Sequence, residues 1–263
     1  MKQINSNGIE YYVFEESPFC DIQHGFFTRI GGVSPQPWQS LNLSTTAGDT
    51  AERVIENRRR IFTAVDRPVE SLYDTWQVHS NRIVVANSPR GLENEPVQAD
   101  GIITQNPGVT LFMRFADCVP VLFYDPEKQV VGIAHAGWKG TVNGIVAEMI
   151  TVMVSSYGSS PTSIQAGIGP CICPSHYVIR GDVLCEVKNG LPEFWDKVVY
   201  EDKLGIHLDL PLANQMLLQR AGVKEVYFSN LCTAGDTTKW FSHRAEHGST
   251  GRFGALIALG KND

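Results

Sequence analysis

The sequence ADCVPVLFYDPEKQVVGIAHAGWKGT, residues 116–141, contains two runs rich in β-branched and aromatic residues, VPVLFY and QVVGIAH. The turn sequence DPEK, residues 125–128, separates them, and aspartate and proline both favour tight turns. The pattern predicts a β-hairpin. If the turn is centred between Pro126 and Glu127, Cys118 lies directly opposite His135, and both side chains share one face of the sheet.

This pairing gives Cys118 and His135 two alternative interpretations. Side chains directly opposed on antiparallel strands have Cβ atoms about 5 Å apart, so the two can share a metal ion or a thiol–imidazole hydrogen bond. They can equally be a chance core cysteine and histidine, and a register shift of one residue would place them on opposite faces. The glycine-rich turn that follows, with Lys139, offers backbone N–H groups and a positive charge to an anion.

Further β-type runs and helical patterns surround this hairpin. LYDTWQV, RIVVA, DGIIT and VTLFMRF precede it, and SIQAGIG, EVYFS and FGALIAL follow it. Apolar spacing predicts helices over residues 50–65, from Thr141 to a break at 158–161, and near 210–221. We therefore expect an α/β or α+β fold, a single layered domain over residues 1–263 with mixed β-sheets flanked by helices.

Composition and charge exclude several classes of protein. The chain has 263 residues, 43% hydrophobic and 19% charged, so a sizeable core is expected. Its net charge of −6 gives no electrostatic reason to expect nucleic acid as a partner. No apolar stretch is long enough to cross a bilayer, and the N-terminus lacks the features of a secretory signal. We expect a cytoplasmic protein without a membrane partner, as a monomer or weak homo-oligomer.

The six cysteines are spread along the chain, and we expect free thiols or metal ligands, because the expected compartment is reducing. Only Cys171 and Cys173 lie close together in the sequence. A CxC pair without a second pair is a weak signal of a zinc ribbon.

Eight segments resemble the YfiH or laccase-domain family in sequence and in order, and together they span nearly the whole chain. The combination of ADCVPV and AHAGWKGT at their spacing is the most specific part of the resemblance. The segments are HGFFTRIGGVS, SLNLS, WQVHS, ADGIIT, ADCVPVLFYDP, AHAGWKGT, GIGPCI and TGRFG.

The resemblance implies a fold similar to the necrotizing-factor-like cysteine hydrolases and a metal site of two histidines and one cysteine. The matching residues here are His79, Cys118 and His135. Three protein ligands with an open fourth position are typical of catalytic zinc, and copper is an alternative metal. The histidine that the family usually has after SLNL is absent from residues 42–49.

The resemblance further implies a zinc-dependent enzyme of purine nucleosides. It would catalyse phosphorolysis of adenosine, inosine and S-methyl-5'-thioadenosine, together with adenosine deamination. Purine nucleoside and phosphate are then the expected partners, and phosphate calls for cationic side chains and backbone donors. Cys118, His135 and Asp117 are the candidate catalytic residues, although Asp117 is adjacent to Cys118 and strand alternation counts against it; Asp100 is a second carboxylate. The candidate substrate contacts are Arg29, Asn42, Lys139 and Arg244.

Three other functions use the same residues. A copper-dependent polyphenol oxidase fits the His-Cys-His set, but the chain lacks the HxH and HCH pairs of multicopper centres. A cysteine hydrolase or amidase acting on cell-wall precursor peptides would use Cys118 as the nucleophile and His135 as its base. A zinc-stabilised binding module would unfold when the metal is removed.

Overall fold

The computed structural model describes residues 1–15, 18–91 and 93–260. Within these ranges the chain forms two six-stranded sheets, a small three-stranded sheet and six α-helices. The mixed α+β class with sheets flanked by helices, predicted from the sequence, is confirmed. No helix among these residues combines the length and the apolar character needed to span a membrane.

The first sheet has the strand order β1-β2-β3-β15-β7-β4, and the second has the order β14-β10-β8-β9-β6-β5. The third has the order β11-β13-β12. The strands are β1 (Lys2–Ser6), β2 (Ile9–Val13), β3 (Gln23–Phe27), β4 (Leu72–Tyr73), β5 (Ile83–Val85), β6 (Gly101–Thr104), β7 (Thr110–Phe115), β8 (Val119–Asp125), β9 (Val130–Ala136), β10 (Gln165–Ile168), β11 (Val178–Ile179), β12 (Val199–Asp202), β13 (Gly205–Leu208), β14 (Glu225–Phe228) and β15 (Phe253–Ala258).

The first helix packs on the outer face of the first sheet, the third and sixth pack on the outer face of the second, and the other three pack around them. They are α1 (Ala51–Ala64), α2 (Trp138–Val142), α3 (Ile145–Tyr157), α4 (Gly181–Gly190), α5 (Trp195–Val198) and α6 (Leu210–Arg220). The single helix predicted after Thr141 is divided into α2 and α3, because Gly144 adopts a left-handed φ of 75° that a helix interior does not tolerate. Helix α1 matches its prediction closely.

Alternation along β8 and β9 builds two cores. Val119, Val121 and Phe123 face α3 and α6, whereas Leu122 and Ile133 pack with residues of the first sheet such as Phe253. All seven residues of each strand are buried, as expected for strands covered on both faces. His135 follows Ile133 by two positions, so its side chain lies on the face toward the first sheet.

The third sheet carries a buried histidine whose two ring nitrogens both have acceptors. His207 Nδ1 lies 2.8 Å from the Pro174 carbonyl oxygen, and Nε2 lies 2.9 Å from Asp202 Oδ1. Only the imidazolium can donate from both nitrogens. Burial alone would lower the pKa of His207, but these two acceptors outweigh it and raise that pKa above its usual value.

Candidate metal centre

His79, Cys118 and His135 meet at the end of the second sheet. Each offers one donor atom, and the three atoms lie within 4.8 Å of one another. They come from the loop after β4, the residue before β8 and the penultimate residue of β9. One sulfur and two imidazole nitrogens form a donor set that suits zinc or copper.

The hairpin that carries two of these residues forms, but its predicted register is wrong by two residues. Pro120, not Cys118, pairs with His135, because the loop has four residues and its centre falls between Glu127 and Lys128. Asp125 lengthens the turn by accepting hydrogen bonds from the backbone N–H groups of Glu127 (2.9 Å) and Lys128 (3.2 Å). A shift of two residues preserves the face, so Cys118 and His135 are diagonal neighbours on the same side.

The backbone at Asp117 turns Cys118 toward the cavity. Asp117 has a φ of 85°, in the left-handed region that costs a non-glycine residue about 1–3 kcal/mol. Its carboxylate accepts hydrogen bonds from Thr233 Oγ1 (2.7 Å), Ser242 Oγ (2.7 Å) and the Arg244 backbone N–H (2.6 Å). These three bonds hold the strained conformation just before β8 begins.

Asp100 organises the loop that carries His79. Its buried carboxylate accepts hydrogen bonds from the backbone N–H groups of Val78 (3.2 Å), His79 (3.0 Å) and Ser80 (2.7 Å), and from Ser80 Oγ (2.8 Å). The backbone of His79 has a φ of 61°, in the left-handed region that non-glycine residues rarely adopt. The surrounding hydrogen bonds hold it in this conformation. One carboxylate therefore shapes a complete turn around a candidate ligand.

The same carboxylate fixes the second histidine. His135 Nδ1 lies 2.9 Å from Asp100 Oδ1, which directs Nε2 toward Cys118. Carboxylate–histidine pairs of this kind orient metal-bound imidazoles in many proteins. Burial alone would raise the pKa of Asp100, but the hydrogen bond and charge of His135 and the bonds from Ser80 lower it to about 2.

The side chains of Cys118 and His135 favour the thiolate–imidazolium pair over the neutral thiol–imidazole pair. Burial alone would raise the pKa of the Cys118 thiol, but the charge and hydrogen bonds of His135 and His79 lower it to about 6. Burial alone would lower the pKa of His135, but the Cys118 charge and the hydrogen bond to Asp100 raise it to about 9. The thiolate, which is the form that binds metal or attacks an electrophile, is thus available near neutral pH.

The absence of a side chain at Gly137 leaves room for the side chains of Cys118 and His79. A Cβ built on Gly137 would lie 2.9 Å from Cys118 Sγ and 3.0 Å from His79 Cδ2. The close approach of backbone to both ligands requires glycine at this position. The donor set, the carboxylate behind it and this gap together fit a bound metal ion.

The three donors line a cavity of about 540 Å³. That volume is within the usual range for small-molecule sites. Ser44 and Thr46 line its wall, and their hydroxyl oxygens lie 2.8 Å apart. The other lining residues are Trp76, Gln77, Arg114, Phe115, Ala116, Asp117, Trp138, Ile172, Tyr177, Leu210, His243, Arg244 and Arg252.

Three of the four predicted substrate contacts lie outside this lining. The Arg29 guanidinium contacts Glu246 Oε1 (2.9 Å) and stacks on the Phe241 ring (4.4 Å), beside a separate cavity of about 410 Å³. Asn42 is fully buried, and its amide bonds the backbone of Ser44 and Arg252, so it serves the fold. Lys139 is exposed on α2.

Arg244 and Asp117 do line the cavity. The Arg244 guanidinium stacks on the Tyr177 ring at 5.0 Å and donates from Nη1 to the Val178 carbonyl oxygen (2.6 Å). Its Nε and Nη2 have no hydrogen-bond partner within the described chain. Asp117 contacts the Arg244 backbone, so the two predicted residues form one unit of the wall.

Sequence reasoning missed two arginines and several aromatic residues of the wall. Arg252 lies in TGRFG, Trp76 in WQVHS and Trp138 in AGWKGT. All three segments resemble the family, and this resemblance could have identified these residues as site candidates. Arg114 is a single charge in the apolar run VTLFMRF, and a charge in a buried strand indicates a function or an ion pair. Burial and the neighbouring charge of Arg58 lower the pKa of Arg114 to about 10. Tyr177 gave no sequence signal.

Residues 23–260 match the family described as multi-copper polyphenol oxidoreductase laccase, and the chain belongs to this family. The resemblance inferred from the eight segments is therefore confirmed. A relative from Deinococcus radiodurans, named purine nucleoside phosphorylase, is 38% identical over 248 residues, which cover 94% of this chain and 93% of the relative.

Two further comparisons agree with this membership. A Bacillus subtilis relative, named purine nucleoside phosphorylase YlmD, is 36% identical over 248 residues, covering 91% of this chain and 89% of the relative. The crystal structure of YlmD from Geobacillus stearothermophilus superposes with a TM-score of 0.91 at 34% identity and covers 98% of each chain.

Proposed function

We propose that this chain is a zinc-dependent purine nucleoside phosphorylase that cleaves adenosine, inosine and S-methyl-5'-thioadenosine. The observation that carries the proposal is the group of three metal donors in the wall of a cavity of about 540 Å³ that also contains arginine and aromatic side chains. The names of the relatives from Deinococcus radiodurans and Bacillus subtilis support the same activity.

His79, Cys118 and His135 would hold the zinc ion, and Asp100 would keep the His135 ring in its binding orientation. When bound, zinc supplies a Lewis acid that polarises oxygen atoms and lets water react near neutral pH. The lowered pKa of Cys118 supports this role, because a thiolate is the form that zinc binds.

The aromatic residues of the cavity suit a flat purine base. Trp76, Trp138 and Tyr177 all line the wall, and aromatic rings favour stacked or edge contacts with other rings. Trp76 is 47% exposed, which puts it at the rim, where it can contact a ligand as it enters. These three side chains would position the nucleoside with its ribose toward the arginines.

Arg244 and Arg252 are the proposed phosphate ligands. Arg252 donates from Nη1 to the carbonyl oxygens of Thr250 (3.2 Å) and Gly251 (2.8 Å), and its Nε and Nη2 have no partner among the described residues. Paired guanidinium donors match phosphate oxygens in geometry and charge. Phosphate held there would form a bond to the anomeric carbon as the bond to the base nitrogen breaks, and the base would leave with the electron pair and take up a proton.

Asp117 would act as a positioning residue in this reaction. All three hydrogen bonds to its carboxylate come from the protein, and one of them fixes the Arg244 backbone. These contacts favour orientation of the phosphate ligand over direct proton transfer. Adenosine deamination, in which water replaces the amino group of the base and ammonia is released, is the second proposed activity of the same cavity.

The proposal is tested on purified protein by metal analysis and by product analysis with adenosine. We expect zinc in the protein and phosphate-dependent release of adenine, with inosine formed in the absence of phosphate. Cys118→Ser should lose both the metal at this centre and the activity. Cys185→Ser, which removes an exposed thiol on α4, is the matched control and should retain both.

Two outcomes would contradict the proposal. Phosphate-independent loss of the base would exclude phosphorolysis, and copper together with phenol oxidation would favour the oxidase. A Cys118→Ser protein with full metal content and activity would remove the metal centre from the mechanism.

A cysteine hydrolase is the second candidate, and a specific geometry favours it. Cys118, His135 and Asp100 form a chain in which the thiol meets an imidazole whose Nδ1 contacts a buried carboxylate. Chelation would spare or increase hydrolysis of cell-wall precursor peptides, whereas it would abolish the zinc-dependent reactions. The likeness to necrotizing-factor-like hydrolases, the single-domain organisation and the cytoplasmic location stay predictions.

A further inference from the structure

A second group of cysteine and histidine side chains lies next to residues of the cavity wall. Donor atoms of Cys173, His176 and Cys232 lie within 4.8 Å of one another. His176 Nδ1 is 3.1 Å from Cys173 Sγ and 3.5 Å from Cys232 Sγ. None of the three lines the cavity or takes part in the proposed reaction.

The surrounding backbone holds the two sulfurs together. Cys171 and Cys232 form a parallel β-bridge, with bonds from Cys171 N to Leu231 O (3.2 Å) and from Thr233 N to Cys171 O (3.0 Å). The Cys173 backbone N–H donates to Cys232 Sγ at 3.2 Å. This bond fixes the Cys232 sulfur beside the Cys173 backbone, as hydrogen bonds to metal ligands commonly orient them.

The thiols of Cys173 and Cys232 differ from the neighbouring Cys171 thiol in their exposure to solvent. Ser175 Oγ lies 3.2 Å from Cys173 Sγ and 3.4 Å from His176 Nδ1. Cys171 is only 5% exposed and belongs to the hydrophobic core. The exposed His176 and the partly exposed Cys173 and Cys232 are accessible to ions from solvent.

We propose that Cys173, His176 and Cys232 form a second zinc site, distinct from the centre at Cys118. Two thiolates and one imidazole suit zinc, and water or the nearby Ser175 hydroxyl can complete four ligands. This site does not depend on the proposed nucleoside activity.

The second site would join two segments that support the cavity. Ile172 and Tyr177, which flank Cys173 and His176, line the cavity, and the Ile172 N–H donates to the Asp117 carbonyl oxygen (3.0 Å). Thr233, next to Cys232, donates to the Asp117 carboxylate (2.7 Å). A metal ion shared by the two segments therefore has a structural role in holding this wall.

Zinc content of full-length variants tests the second site separately from the first. The wild type and the control Cys185→Ser should hold two zinc ions per chain. Cys173→Ser/Cys232→Ser should hold one and keep the Cys118 centre, and Cys118→Ser should hold one at the second site. If only the first centre binds zinc, the wild type and Cys173→Ser/Cys232→Ser will both hold one ion and Cys118→Ser none, which overturns the proposal.

A failure of the first centre gives a different pattern, because the wild type and Cys118→Ser would then both hold one ion and Cys173→Ser/Cys232→Ser none. Cobalt bound to Cys118→Ser should show sulfur-to-metal charge-transfer absorption from Cys173 and Cys232. A disulfide between these two cysteines that persists in protein kept under reducing conditions with zinc supplied would overturn the site.

His176→Asn keeps the test decisive if the double variant does not fold. The side chain is exposed, so its replacement carries little risk to the core. We expect zinc at the second site to bind more weakly by at least the roughly 10–100-fold that loss of an outer hydrogen-bond partner costs. Unchanged zinc affinity in Cys118→Ser/His176→Asn, relative to Cys118→Ser, would contradict the proposed ligand set.

Discussion

Gly137→Ala places a single methyl group between two candidate metal ligands. Gly137 has φ −70° and ψ 169°, a conformation that alanine adopts without strain, so any effect comes from contact and not from the backbone. The added Cβ would lie 2.9 Å from Cys118 Sγ and 3.0 Å from His79 Cδ2. Unstrained contacts of carbon atoms are about 3.5–4.0 Å, so a ligand or the backbone has to move by roughly 0.5–1 Å.

Such a displacement is large on the scale of metal coordination. Zinc–sulfur and zinc–nitrogen distances in real sites fall within about 0.2 Å of their usual values. We therefore expect Gly137→Ala to weaken zinc binding at the Cys118 centre about 10–100-fold, equal to about 1.4–2.8 kcal/mol. The metal-free protein should also lose about 1–3 kcal/mol of unfolding free energy from overpacking.

The assay is a zinc competition titration against a chelator, combined with chemical unfolding of the metal-free protein. Gly181→Ala is the matched control, because a Cβ there meets nothing within 4 Å, and it should leave zinc affinity unchanged. Wild-type zinc affinity and activity in Gly137→Ala would refute the argument that this gap shapes the site. A variant that fails to fold without metal would still report its affinity through metal-induced refolding.

Three further predictions follow from other contacts. Asp100→Asn removes the carboxylate behind both histidines and should weaken zinc binding about 10–100-fold; equal affinity in a competition titration would contradict it. Arg252→Gln should raise the KM for phosphate by about 10-fold or more with little change for the nucleoside, and an unchanged phosphate KM would remove Arg252 as a ligand. The raised pKa of His207 predicts stabilisation that is full below the unfolded value of about 6.5 and is lost as pH rises through the folded pKa. Urea midpoints of wild type and His207→Gln should thus converge from pH 6 to pH 9, and a constant difference would contradict this.

The hairpin shows how far local sequence predicts the site. Two runs rich in β-branched and aromatic residues, with a turn sequence between them, were enough to predict strands β8 and β9 and to place Cys118 and His135 on one face. The register was wrong because the Asp125 side chain captures two backbone N–H groups and lengthens the loop. Turn chemistry of this kind depends on side-chain hydrogen bonds, which the apolar pattern does not contain.

The prediction of the phosphate-binding arginines depends on contacts between distant parts of the chain. The segment that contains Arg29 matches the family and predicts a substrate contact, yet the Arg29 guanidinium pairs with Glu246, which is 217 residues away in sequence. Arg252 is likewise distant in sequence from other residues of the cavity wall, so local sequence does not predict that it lines the cavity. It reaches the wall because β15 lies between β3 and β7. Pairing of distant strands decides which arginine faces a ligand, and one sequence gives no direct information about that pairing.

Asp117 connects the two proposed metal sites through the backbone. Its φ of 85° is held by donors from Thr233, Ser242 and Arg244, while its carbonyl oxygen accepts the Ile172 N–H. The segments that supply Thr233 and Ile172 are the ones that Cys173, His176 and Cys232 would join. Because Cys118 directly follows Asp117, any loosening of those segments relaxes the strained residue that aims the thiol. Loss of zinc at the second site should therefore weaken zinc binding at the first, although the two share no ligand.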